Sequence, residues 1–91
     1  MEFTWSETKR AANIKVHGLD FVDAASVFES VTFTFEDDRF SYGEQRFVTL
    51  GMLAGTIVSI VHTENEHEIR VISFRKATKR ESQIYFNEIQ N

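Results

Sequence analysis

Residues 46–75 read RFVTLGMLAGTIVSIVHTENEHEIRVISFR, and the fold is decided within them. Arg46–Leu50, Thr56–Thr63 and Glu68–Arg75 are rich in branched and aromatic residues, the composition of strands. Turn formers fill the gaps: Gly51 and Gly55 bracket one hairpin turn, and residues 64–67 form the other. Strands joined this tightly predict an antiparallel meander. Before them, Val31, Phe33 and Phe35 alternate with Thr32 and Thr34, a further strand with one buried face, followed by a polar loop over 36–45. After them, Thr78 and Glu81 stand at capping-box spacing, and Ile84, Tyr85 and Ile89 share one face of a helix that runs to the C-terminus.

The N-terminal part is helical in period. Phe3 and Trp5 suggest a short first strand. A helix then starts at a Thr4–Glu7 capping box or at Ser6 as cap, and it ends at Gly18, with Ala11, Ala12 and Ile14 among its inward candidates. A second helix from Asp20 carries Phe21, Ala24, Ala25, Val27 and Phe28 at helical spacing. The expected order is β-α-α-β-β-β-β-α: an α+β fold with two N-terminal helices, an antiparallel sheet and a C-terminal helix, in a single domain over 1–91. With 42% hydrophobic residues and nine Phe, a chain of this size fills one core without disulfides.

Composition narrows the functional classes. The absence of Cys removes thiolate metal sites and cysteine nucleophiles, and it fits a reducing compartment. The start Met1–Trp5 lacks the basic and apolar segments of a signal peptide, and no stretch approaches the roughly 18 apolar residues of a membrane span, so a cytoplasmic protein with no membrane partner is expected. His62, Glu64 and His67 match no metal-ligand spacing, and no glycine-rich phosphate loop exists; neither metal nor cofactor is expected. The formal net charge is -4, yet five of the ten Lys and Arg residues fall in 70–80, where there is no Asp or Glu. An acidic chain with its cations gathered in this way is building a local anion site, and nucleic-acid phosphate is the first candidate. Residues 20–44 carry seven acidic residues against Arg39, which is either a solvated surface or a docking face for a basic partner segment.

Longer patterns match a known family. Phe3-x-Trp5, Lys9, Asn13, His17-Gly18, Phe21, Ala24 and Phe28 resemble the N-terminal half of the BrnT toxins. Tyr42-Gly43-Glu44-x-Arg46, Gly51, His62-Thr63-Glu64, Arg70-x-Ile72-Ser73-x-Arg75-Lys76-Ala77, Glu81 and Tyr85 resemble the remainder. The resemblance implies a RelE-like fold and a ribonuclease that arrests translation. It also implies a BrnA-like antitoxin with a ribbon-helix-helix, through which alone operator DNA is reached. The competing reading is a non-catalytic toxin-like module that retains antitoxin binding.

A ribonuclease working without metal must remove the 2′-hydroxyl proton, stabilise the charge at phosphorus and protonate the leaving oxygen. Arg70 and Arg75 are the candidate phosphate clamps, because guanidinium pairs bidentately with phosphate oxygens. Lys9, Arg46, Lys76, Lys79 and Arg80 are the further RNA-binding candidates. Strict alternation puts Arg70 and Arg75 on opposite faces of their strand, so either a bulge or the strand's end re-aims Arg75, or the two have separate jobs, one toward substrate and one toward a carboxylate or the partner. His62 and Glu64 are candidate proton carriers, His62 alternatively being a hydrogen-bonded histidine at the hairpin end. His17 sits where a cation favours a helix C-terminus. Tyr42 either stacks on a base or packs over the sheet edge.

Overall fold

The computed structural model describes residues 1–39 and 41–90. Phe40, inside the loop expected over 36–45, and Asn91, the last position of the expected terminal helix, lie outside the described residues. The chain forms β1 (Glu2–Thr4), α1 (Glu7–His17), a 3-10 turn (Phe21–Asp23) running into the short α2 (Ala24–Phe28), then β2 (Phe33–Glu36), β3 (Phe47–Leu53), β4 (Thr56–Glu64), β5 (Glu68–Lys76) and α3 (Lys79–Ile89). The class is α+β, and the segment expected as a second short helix from Asp20 is one 3-10 turn and five α-helical residues. Among the described residues no helix is long and apolar enough to cross a membrane.

The strand order is β1-β5-β4-β3-β2. The three expected strands do form an antiparallel meander, but the sheet is mixed, because β1 lies parallel to β5 with Phe3 opposite Ile69. A three-residue strand has no local signal for its partner; the direction is set by the crossover through α1 and α2. The β3–β4 turn is Ala54-Gly55, both with positive φ (48° and 80°), the geometry of a two-residue hairpin whose twist matches the strands. Gly51 is therefore not a turn residue. It is buried inside β3, where a Cβ would stand 2.7 Å from Val27 Cγ1.

The two faces of the sheet have separate cores. Phe21, Ala24 and Val27 pack on Val58, Ile60, Val71 and Phe74. Tyr85 of α3 packs on Val48 and Leu50, and its hydroxyl donates to the Val31 carbonyl at 2.7 Å. The capping box of Thr78 and Glu81 starts α3, Ser6 caps α1, and Gly18 at φ 72° ends it.

Helix α1 corrects the expected facing. Ala11, Ala12 and Ile14 are exposed, and only Asn13 is buried. The helix lies along the edge of β5, where β1 stops at Thr4 opposite Arg70, so it presents one polar side chain to a strand edge instead of an apolar stripe to a sheet face. Asn13 Nδ2 donates to the Phe74 carbonyl (2.8 Å) and to Leu19 (2.9 Å), and its Oδ1 accepts from Phe74 N–H (3.0 Å). The amide thus replaces the missing strand partner.

Candidate functional site

A break in the β4–β5 register builds the site. Val61 faces Ser73, but the next residue, His62, faces Val71, so Ile72 is an extra residue on β5. Such a bulge reverses the alternation beyond it. Arg70 is opposite Thr63 and Arg75 opposite Ser59; those partners are four residues apart on β4, so both arginines occupy the same face. They remain about 13 Å apart along the strand at roughly 3.3 Å per residue, too far to hold one phosphate together.

Each arginine already has a carboxylate. Arg75 Nη1 and Nη2 donate to Glu81 Oε1 and Oε2 at 2.8 and 3.0 Å, tying the end of β5 to the capping box of α3. Arg70 Nη2 is 2.8 Å from both oxygens of Glu44. Glu44 also accepts from Arg46 Nε at 3.2 Å, and the Arg46 guanidinium lies 4.2 Å above the Tyr42 ring. This half-exposed contact with Arg70 holds the Glu44 carboxyl below the usual carboxylate range.

Around Glu44 opens a cleft of about 490 Å³, with Ser6 and Lys9 from the start of α1, Tyr42 and Arg46 from the β2–β3 loop, and Arg70 and Ile72 from β5. The structure brings Lys9, Arg46 and Arg70 together, three cations against one carboxylate. The bulge opens one wall, and the Ser6 cap fixes where α1 begins and hence where Lys9 stands. The loop is pinned at its base by Asp37 N–H donating to the Arg46 carbonyl at 2.8 Å. Asp37 is itself buried, holding Arg39 at 2.8 and 2.9 Å and accepting from the Tyr42 hydroxyl at 3.1 Å. The Arg39 guanidinium lowers its carboxyl to about 2. Of the acidic stretch 20–44, Asp20 is likewise committed internally, to Arg10 at 2.7 and 2.9 Å.

The other expected residues lie elsewhere. His62 is fully buried: Thr49 Oγ1 is 2.7 Å from its Nε2, Phe47 stacks on the ring and Phe28 meets it edge-on. Burial pushes the imidazole below its ordinary value, the neutral form a core requires. Alternation turns Glu64 away from Thr63 and Arg70, and it is exposed at the hairpin end. Lys76, Lys79 and Arg80 are exposed at the end of β5 and the first turn of α3, outside the cleft. His17 is exposed at the end of α1. Among the described residues no three His, Asp or Glu side chains converge as a metal site.

Glu44 was not singled out by reading residue types. Its signal was the spacing Glu44-x-Arg46, which puts a carboxylate beside a cation on the same side of an extended chain. A family model described as "Ribonuclease toxin, BrnT, of type II toxin-antitoxin system" matches residues 5–81, a span containing every residue of the cleft. Comparison with curated proteins finds no match.

Proposed function

The chain belongs to the BrnT family of ribonuclease toxins of type II toxin–antitoxin systems, and on that premise we propose that the cleft between α1, the β2–β3 loop and β5 is where RNA is bound and cut without a metal ion. The observation that carries the reading is the convergence of Lys9, Arg46 and Arg70, which come from three separate parts of the chain, around one carboxylate. A cationic cleft neutralises a phosphodiester and the extra charge of its phosphorane. Glu44 is the acidic residue lining the cleft, and it takes the proton-transfer role that sequence reading gave to His62 or Glu64. Its carboxylate accepts the 2′-hydroxyl proton as the 2′-oxygen bonds to phosphorus, and the 5′-oxygen departs with a proton from Lys9. The products are a 2′,3′-cyclic phosphate and a 5′-hydroxyl end.

The family places an antitoxin beside this protein. In our reading it is a BrnA-like ribbon-helix-helix protein that carries the complex to operator DNA, the toxin works in the cytoplasm, and the fold is RelE-like, a reading supported by the antiparallel meander flanked by helices. The exposed Lys76, Lys79 and Arg80 guide RNA toward the cleft by long-range attraction. Arg75 supports the fold through Glu81 rather than gripping the scissile phosphate.

RNA cleavage by purified variants in EDTA tests this. Arg70→Ala should lower the rate by about ten- to a thousand-fold, the range for removing a donor aimed at developing charge. Arg75→Ala should cost less rate and more stability. Equal losses of rate in two folded variants would refute the placement of the cleft. Activity restored only by a stoichiometric metal would refute the metal-free step. A protein that binds antitoxin but leaves RNA intact would be the non-catalytic module.

A further inference from the structure

Carboxylate and phosphate compete for the same guanidinium donors, since each presents paired oxygens to N–H groups. In this structure one Arg70 donor is already used: Nη2 contacts both Glu44 oxygens at 2.8 Å, and Arg46 Nη2 is 3.2 Å from the same carboxylate. Glu44 rides on a loop anchored behind it, through Tyr42 to the buried Asp37, so the carboxylate can leave without unpicking the loop's base.

We propose that Glu44 is a specificity-determining residue, an internal anion occupying the phosphate seat between Arg46 and Arg70 that any ligand must displace to enter. The inference rests on the reading of this cleft as the RNA site. An isolated phosphate exchanges one set of charge-assisted hydrogen bonds for another and gains little. A strand also reaches Lys9 and the exposed cations at the end of β5, and that surplus drives the displacement. The cleft therefore selects a polyanionic strand over a small anion, and the displaced carboxylate stays beside the phosphate it admitted.

Binding of an all-2′-deoxy oligonucleotide, which lacks the nucleophile and cannot be cut, tests this by anisotropy across a salt series. Glu44→Gln, isosteric and on an exposed loop, should tighten binding about ten-fold at low salt. The dependence of log K on log salt should change by less than about 0.7, because the same phosphate is seated between Arg46 and Arg70 in both proteins. Inorganic phosphate should compete poorly against wild type and well against Glu44→Gln. In an Arg70→Gln background the gain from Glu44→Gln should vanish. Unchanged or weaker binding by Glu44→Gln, or the same gain with Arg70 absent, overturns the proposal. These readouts are independent of cleavage: a wild-type protein that binds the strand with the expected Glu44 effect but never cuts RNA sinks the catalytic reading alone.

Discussion

Replacing Asn13 with Ala removes the buried side chain that hydrogen-bonds α1 to β5. Asn13 is 6% exposed and makes three hydrogen bonds: two with Phe74, one through N–H and one through C=O, and one with the Leu19 carbonyl. Phe74 is fully buried, so Asn13→Ala leaves a donor and an acceptor of β5 without partners. An unsatisfied buried polar group costs about 1–3 kcal/mol. With two such groups and some water entering the vacated space, the expected loss is about 2–4 kcal/mol. A domain of this size has about 5–14 kcal/mol in total, so the effect is large. Urea denaturation followed by the fluorescence of Trp5, whose ring meets Phe21 edge-on at 6.5 Å, reads the change in midpoint at constant slope. Lys9 stands one turn ahead on the same helix, so RNA affinity should fall as well, even where the variant is still folded. A stability loss below about 0.5 kcal/mol, the level of an ordinary surface substitution, would refute the claim that this amide stands in for a strand.

Further outcomes follow from the same contacts. Asp37 has its carboxyl lowered by Arg39 from 3.8 to about 2, so below pH 4 the unfolded chain takes up the proton first, and stability present above that pH drains away toward pH 2. Asp37→Asn should cost about 2 kcal/mol at neutral pH, with the gap from wild type closing near pH 2 in acid–urea titrations; a gap independent of pH would contradict the ion pair. His62 is buried neutral and titrates below its ordinary 6.5, so the unfolded state binds more protons as pH falls through that value and stability declines. His62→Gln should flatten the stability slope between pH 7 and 5, and an unaltered slope would assign it to other groups. Gly51→Ala should destabilise by about 1–3 kcal/mol, because the new methyl meets Val27 at 2.7 Å and Ser30 and Thr32 at 3.2 Å; an unchanged melting temperature would mean that the α2–β3 contact yields freely.

What the sequence determined by itself was local. Alternation announced β2, strand composition between turn formers announced β3 to β5, Thr78 and Glu81 announced the start of α3, and Gly18 announced the end of α1, because these signals are written in neighbouring residues. The cluster of cations and the spacing Glu44-x-Arg46 were also visible, as ingredients without an arrangement. Tertiary structure decided what depended on distant pairing. The parallel partner of β1 and the edge position of α1 are set by a crossover, so Asn13 rather than Ile14 turned inward. Ile72 as the extra residue of β5 is defined only against β4, and that single offset put Arg70 and Arg75 on one face, each in an ion pair with a different carboxylate. The same folding closed a polar loop over β5 and delivered Glu44 to Arg70, 26 residues away, by a charge contact that no periodicity records.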